Sequence, residues 1–553
     1  MNLLNQLWSQ EDSQLPRTVS PESDRPVNPA QSGANARVIE SWLVEQLARR
    51  LELSADRIDV HKPLTDYNLN SLEAINLSGD LESFLGRRLS PTLLWDYPNI
   101  EALATHLANE IDNPHSLGEL HVEALPNGSP TSPTPSDEIS PDYYRFDRFP
   151  EYQKLSQQLL QIEALGLGSP FFSVHERIAN DTTTIDGREL INYSSYNYLG
   201  MCGDPAVSEA TKAAIDRYGT SASASRVASG ERVIHLELER ELAEFIGVDD
   251  CIVYVGGHAT NVTTIAHLFG EGDLIVHDAL SHNSILQGCE LSGARIIAFP
   301  HNDWQALDTL LQQRRHQFRR VLIAIEGVYS ADGDIPNLPE FVAVKKRHKA
   351  FLMVDEAHSI GVLGTHGRGI GEYFGIDPQD VDLWMGTLSK SFASCGGYIA
   401  GCKAVVKYLK YTAPGFVYSV GMSPPNTAAA LASIRVLREE PHRVGRLHDR
   451  ATLFRKLARD RGLDTGTSEN SSVVPIVVGN SLMSVKLSQV LFHRGINVGP
   501  MFYPAVPHNA ARLRFFISCT HTEAQIRETV AIVAEELAKL KQETILPELN
   551  GHG

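Results

Sequence analysis

The chain is poor in cysteine, and its basic residues are outnumbered by acidic ones. Its six cysteines, Cys202, Cys251, Cys289, Cys395, Cys402 and Cys519, are scattered and form no CxxC pair. That excludes a disulfide framework, gives no zinc-ribbon spacing and so no expected metal, and is the usage of a reducing, cytoplasmic protein. Lys and Arg number 49 against 67 Asp and Glu, a net charge of −18. Binding a phosphate backbone needs a cationic surface, and this acidic balance argues against nucleic acid as the main partner. No apolar run approaches the roughly 18 residues that a membrane span needs. The opening MNLLNQLWSQEDSQLP has neither a basic n-region nor an apolar h-region, so it does not read as a secretory signal.

With 553 residues, 42% of them hydrophobic, the chain has material for about three to four compact units. Its charge is uneven: residues 1–142 hold nine Lys and Arg against 22 Asp and Glu, and so carry most of the negative excess. Residues 1–35 are polar and read as a flexible tail. Residues 36–112 read as a small helical unit, with apolar stripes at Ile39, Leu43 and Leu47 beside Trp42, at Leu77, Leu81 and Phe84, and at Ile100, Leu103 and Leu107. Ser90 and Pro91 open a short helix as N-cap and first helical residue. Residues 113–142, rich in Pro and Ser, form a semi-extended linker that could reach up to about 100 Å.

From residue 143 helical segments alternate with short apolar runs. The predicted strands are Cys251–Val255, Leu274–Val276, Arg295–Phe299, Val321–Glu326, Phe351–Asp355 and Val381–Gly386. Such alternation predicts a mostly parallel sheet covered on both faces, an α/β large domain over 191–435 after an entry segment at 143–190. Residues 436–553 read as a smaller α+β domain, with strands near Ser472–Val478 and Leu513–Ser518. A last helix has Ile526, Val530, Val533, Leu537 and Leu540 on one face and a capping box of Thr522 and Gln525.

Three features stand just beyond predicted strands. Asp355 ends the run AFLMVD, with His358 three residues on; Lys390 follows LWMGTLS, with Thr387 and Ser389 before it; and VGGHATN places Gly256 and Gly257 ahead of a helix. Singly, each has a plainer reading: a turn Asp, a solvated Lys, a tight turn. Together, each after its own strand, they are the parts that pyridoxal phosphate chemistry requires. A lysine forms an imine with the aldehyde, a carboxylate keeps the pyridine nitrogen protonated, and exposed N–H groups and hydroxyls hold the phosphate. The string Asp355-Glu-Ala-His358 also matches a metal-binding box of certain NTPases, but that chemistry needs a GxxxxGK[ST] loop upstream, and there is none. Gly367 to Gly371, GRGIG, follow no strand directly and read as a flexible turn.

Two resemblances go further. The string PLTDYNLNSLEAINLSGDLESFLGRRLSPTLLWDYPNIEALATHLA resembles acyl carrier domains of polyketide synthases. On its own Ser71 would be read as a helix N-cap; the resemblance implies that it carries a 4'-phosphopantetheine arm, with Asn68 and Asn70 standing where the family has Gly and Asp. The blocks INYSSYNYLG, SGERVIHLELERELAEF, HDALSHNSILQG, IEGVYSADGDIPNLPE, VDEAHSIGVLGTHGRG, TLSKSF and ARLRFFISCTHT resemble the α-oxoamine synthases over about residues 143–545. That family includes serine palmitoyltransferase and the synthases of aminolevulinate and amino-oxononanoate. It implies a fold type I, pyridoxal phosphate-dependent homodimer.

By that resemblance Lys390 bonds the cofactor aldehyde, Asp355 pairs with the pyridine nitrogen, and His282 stacks on the ring. His358 and Ser330 sit near the ring oxygen. Gly257, the backbone of His258 and Thr387 hold the phosphate, with Ser419 arriving from the other subunit. Arg514, or less aptly Arg512, binds the amino-acid carboxylate, and Asn197 and Tyr198 line the site. His258 stands where the family has an aromatic residue, Val420 and Gly421 stand where it has hydroxyls, and Phe502 replaces an Arg of the amino-oxononanoate branch, which argues against biotin synthesis.

The implied reaction is a decarboxylative condensation of an amino acid with an acyl thioester, delivered by the chain's own carrier domain. It would depend on a phosphopantetheinyl transferase and on an acyl-loading or polyketide synthase enzyme. An aminotransferase or decarboxylase acting on free amino acid, and a non-catalytic carrier and scaffold subunit, are the alternatives.

Overall fold

In the computed structural model, residues 36–50, 54–62, 81, 84–85, 99–112, 139–164, 171–502, 505–506 and 509–550 are described. They belong to two compact units, Met1–Pro130 and Thr131–Gly553. Ser71, Ser90, Pro91, Leu77 and most of the expected linker lie outside the described residues.

In the first unit the helices Ala36–Arg50 and Ile100–Asp112 pack their expected stripes together. Ile39, Leu43, Leu47, Leu81, Ile100, Leu103 and Leu107 are fully buried, and Trp42 stacks on Phe84 with ring centroids 4.9 Å apart. Side chains three and four apart share one helix face, so the sequence period becomes a buried seam.

The described strands of the second unit are β1 (Thr182–Ile185), β2 (Arg188–Asn192), β3 (Asp250–Tyr254), β4 (Leu274–Asp278), β5 (Arg295–Phe299), β6 (Val321–Glu326), β7 (Phe351–Asp355), β8 (Leu383–Thr387), β9 (Gly397–Gly401), β10 (Val473–Gly479), β11 (Ile496–Asn497), β12 (Gly499–Met501) and β13 (Ala511–Phe516). A seven-stranded sheet runs β3-β9-β8-β7-β6-β4-β5. Its interior strands are apolar throughout because helices cover both faces: every residue of β4, β6 and β8 is buried. The sheet is mixed. β9 runs antiparallel to both β3 and β8, while the other pairs are parallel. Because β4, β6, β7 and β8 are mutually parallel, their carboxyl ends open on one edge, where α/β folds place ligands.

The smaller region holds the antiparallel sheet β10-β13-β12. The helix Glu523–Asn550 covers its apolar core with Ile526, Val530, Val533 and Leu537. The expected capping box is formed: the Thr522 N–H donates to Gln525 Oε1 (2.7 Å), and the Gln525 N–H donates to Thr522 Oγ1 (3.2 Å). Among the described residues no helix is long and apolar enough to cross a membrane.

Candidate active site

The open edge of the sheet gathers side chains from four strand ends. β7 delivers Asp355, which is buried. Asn261 Nδ2 donates to its Oδ2 (2.8 Å), and the Ala357 N–H donates to Oδ1 (2.9 Å). No ion pair to Asp355 is found among the described residues, so a buried carboxylate is held in place by two N–H donors with no cation against it. Asn261 also donates to Ser284 Oγ (2.9 Å). Ser284 Oγ lies 2.8 Å from His282 Nδ1, which also accepts the Ser284 N–H (3.2 Å). A lone pair at Nδ1 leaves the ring hydrogen at Nε2, so the chain of bonds from Asp355 to His282 sets the histidine's tautomer. The His282 N–H donates to Glu326 Oε1 (2.6 Å) at the end of β6. Burial, reinforced by the charge of Asp355, pushes the Glu326 pKa well above the ordinary carboxylate value.

Three residues beyond β8, Lys390 Nζ lies 2.7 Å from His358 Nε2, and His358 Nδ1 lies 2.7 Å from the Tyr198 hydroxyl. Burial lowers the Lys390 pKa to about 8, against the opposing charges of Asp355 and Glu326. Burial, then the positive charges of Lys390 and Arg514, drive the His358 pKa well down, so its ring is neutral. The amine also lies 5.4 Å from the centre of the Tyr196 ring.

The helix Gly257–Leu268 starts against Thr387. A Cβ at Gly257 would lie 2.7 Å from Thr387 Oγ1, so only glycine lets the first turn come this close. Its N–H groups, Thr387 Oγ1 and Ser389 Oγ (2.7 Å from Thr387 Oγ1) form a cluster of donors fit for an anion. His258 is exposed, its ring edge-on to His282 at 6.5 Å. Ser419 lies elsewhere, on an exposed segment between Tyr418 and Val420.

Arg514 projects from β13 into a cleft of about 360 Å³ that Phe171, Tyr196, Met501, Phe502 and Phe516 also line. Its guanidinium lies over the Phe516 ring (4.6 Å) and donates to the Ser330 carbonyl (3.0 Å). Arg512, two residues earlier, is committed elsewhere: it pairs with Asp332 and donates to the carbonyls of Ala331 (3.3 Å) and Ala510 (2.9 Å). Of the two expected cations, Arg514 is the one in the cleft.

Two expected lining residues stand behind the wall. The Asn197 amide is used in tying its loop to the segment before β1, donating to Asn180 Oδ1 (3.2 Å), and accepts the Cys202 N–H (3.1 Å). Tyr198 is fully buried and reaches the site only through His358, while Tyr196 faces the cleft. Asn261, Ser284 and Glu326 were not singled out from sequence. The expected GRGIG turn has a defined partner. Glu356 points away from the cleft and accepts the Ile370 N–H (3.1 Å) and the Ser359 hydroxyl, and a Cβ at Gly369 (φ +89°) would collide with its carboxylate. Burial lifts the Glu356 pKa to about 7. No metal-binding cluster occurs among the described residues.

A buried carboxylate with no ion-pair partner among the described residues, an amine of lowered pKa, and a helix start pressed on two hydroxyls fit the three ends of pyridoxal phosphate. The profile of aminotransferase class I and II matches residues 188–533, and that of the phosphopantetheine attachment site matches residues 41–107. An 8-amino-7-oxononanoate synthase of Symbiobacterium thermophilum is 39% identical over 351 residues, covering 64% of this chain and 89% of that protein. Serine palmitoyltransferase 3 of Homo sapiens is 37% identical over 394 residues, covering 68% and 71%. The solved serine palmitoyltransferase of Sphingomonas wittichii superposes with a TM-score of 0.68 at 32% identity, over 71% of this chain and 98% of that one. That of S. paucimobilis, as a variant with pyridoxal phosphate and myriocin bound, gives 0.67 at 31%, with the same coverage. In sequence the two branches match almost equally, and the chain belongs to the α-oxoamine synthases, pyridoxal phosphate-dependent enzymes, here with a phosphopantetheine-attachment domain ahead of the synthase.

Proposed function

We propose that the chain condenses an amino acid with an acyl thioester borne on its own N-terminal domain. The amino acid's α-carbon bonds to the thioester carbonyl, the thiol leaves, the carboxylate departs as CO₂, and an α-aminoketone is formed. The observation that carries this reading is the presence, in one chain, of a phosphopantetheine-attachment domain and of the Lys390, Asp355 and Arg514 constellation.

Bound pyridoxal phosphate supplies an electron sink for the α-carbon. Lys390 is the residue that would bond it. Asp355, aimed by Asn261 and the Ala357 N–H, would hold the proton on its ring nitrogen, and His282 would cover its face. The Gly257 and His258 N–H groups and Thr387 would hold its phosphate, and His358 and Ser330 would flank its ring oxygen. Arg514 orients the substrate carboxylate, where a planar guanidinium suits best. With its pKa near 8, Lys390 Nζ is neutral often enough at physiological pH to accept the α-proton.

A tether of this kind holds the thioester at about millimolar effective concentration. The reading extends to an arm on Ser71 and a cytoplasmic homodimer, with Ser419 of a second copy joining the phosphate site. The exposure of Tyr418 (82%) and Val420 (50%) beside Ser419 supports such a covered surface. The partners are a phosphopantetheinyl transferase and an acyl-loading or polyketide synthase enzyme.

The test is intact-mass analysis after incubation with a phosphopantetheinyl transferase and acyl-CoA, followed by an amino-acid screen for CO₂ release. An acylated arm present in the wild type and lost in Ser71→Ala, with condensation lost in Lys390→Ala, is expected. Undiminished condensation in Ser71→Ala would remove the carrier from the reaction, and wild-type condensation in Lys390→Ala would refute the catalytic reading.

A further inference from the structure

We infer that His301 is a positioning residue: its ring bridges the loop carrying His282 to the turn that holds Arg514, so that one charged side chain sets the spacing between the two halves of the site. The inference rests on the reading of Arg514 as the carboxylate clamp and of His282 as the residue over the cofactor.

The geometry is that of a double clasp. His301 Nδ1 lies 2.8 Å from Asp278 Oδ1, and Nε2 lies 2.7 Å from Asp334 Oδ2. Both ring nitrogens thus face carboxylate oxygens, which can only accept. A neutral ring would set a bare lone pair against one of them, so the arrangement requires an imidazolium. Burial disfavours that charge, but the hydrogen bonds and charges of Asp278 and Asp334 prevail and raise the pKa to about 10. The other titratable group packed on the ring is Tyr329, edge-on at 4.5 Å. Asn302 doubles the clasp: its N–H donates to Asp278 Oδ2 (2.8 Å) and its Nδ2 to Asp334 Oδ2 (2.5 Å).

Each carboxylate belongs to a different wall. Asp278 ends β4, has no exposed side-chain surface, and accepts the Leu280 N–H (2.8 Å), shaping the turn that delivers His282. Asp334 closes the turn 329–334, its carbonyl accepting the Tyr329 N–H (3.1 Å). That turn supplies the Ser330 carbonyl to Arg514 and Asp332 to Arg512. His301 itself lies in neither wall and lines no part of the cleft. Its influence on the reaction would run entirely through the two turns.

Cutting one arm at a time separates the effects. The full chain loaded with pyridoxal phosphate is titrated with L-serine, L-alanine and glycine, following cofactor absorbance for affinity. Loss of the α-proton to D₂O at saturation gives the rate without an acyl donor. Asp334→Asn, which loosens the Arg514 wall, should weaken amino-acid binding about tenfold with little change in saturated exchange. Asp278→Asn, which loosens the His282 wall, should slow exchange about tenfold at unchanged affinity. Arg514→Gln is measured alongside. If Arg514→Gln weakens binding and Asp334→Asn does not, the bridge is refuted; if Arg514→Gln leaves binding unchanged, the clamp reading fails instead, and the Asp278→Asn rate still decides the other arm. Equal effects of both Asp variants on both quantities, tracking a common fall in Tm, would reduce His301 to a fold-stabilising contact. Independently of activity, ¹⁵N-histidine spectra, with His301 assigned by its loss in His301→Gln, should show both ring nitrogens protonated at pH 8; a neutral ring there overturns the bridge.

Discussion

Replacing Lys390 by methionine should make the cofactor-free protein more stable. The amine is held near pH 8 by burial, against 10.5 for an ordinary lysine. At about 1.36 kcal/mol per unit, keeping it protonated in the folded state costs roughly 3.4 kcal/mol. The residue keeps some surface of its own, so solvent screening trims this to about 2–3 kcal/mol. The sign follows from which state holds the proton. The folded pKa is the lower one, so the penalty is complete below about pH 8, shrinks as pH rises and is gone above about 10.5. Methionine fills a similar volume with no charge to desolvate. Unfolding of apo wild type and Lys390→Met is followed by calorimetry at pH 7 and pH 10.5. The synthase transition of the variant should lie higher by roughly 3 °C at pH 7, and the difference should nearly close at pH 10.5. A variant that is less stable at pH 7, or one whose gain is the same at both pH values, would show that the amine carries no such desolvation cost and would remove the physical basis for its acting as a base.

Asn261→Leu removes the donor to Asp355 and to Ser284 together; because the bond to Asp355 is charge-assisted, worth about 1.5–3 kcal/mol, saturated α-proton exchange should fall about 10- to 100-fold while circular dichroism stays unchanged. Glu326→Gln, which keeps an accepting oxygen for the His282 N–H, should leave exchange at pH 7 within about threefold of wild type. Glu326→Leu, which strips that acceptor, should cost about 1–3 kcal/mol in unfolding free energy by denaturant titration.

The scaffold was legible wherever one periodicity decided the matter. The runs Arg295–Phe299, Val321–Glu326 and Phe351–Asp355 are strands with the expected bounds, and Thr522 and Gln525 cap as read. β9 was not anticipated, because Gly397, Ala400 and Gly401 leave only Tyr398 and Ile399 to signal a strand. Its glycines are demanded by tertiary contact instead: a Cβ at Gly397 would lie 2.5 Å from Thr260 Oγ1 and 2.7 Å from Gly257 Cα, so the strand is bare where the first turn of the helix Gly257–Leu268 rests on it. The site divides in the same way. Lys390 and Asp355 follow apolar strands and announce themselves. Asn261 acts on a carboxylate 94 residues away, and Glu326 reads as the last residue of a strand until the His282 backbone is brought to it. A role created by a long-range contact leaves no local pattern.

The stretch Asp355–Ser359 faces two ways at once. Asp355 and His358 meet Asn261 and Lys390, while Glu356 and Ser359 turn back to secure the start of the short helix at Ile370. Chemistry and architecture are therefore interleaved letter by letter, and the four-letter string shared with unrelated NTPases reflects packing demands as much as reactivity. Grafting this catalytic apparatus onto a different barrel or sheet would require carrying the Gly369 bend along with it, since the carboxylate that anchors the helix is the immediate neighbour of the one that would serve the cofactor.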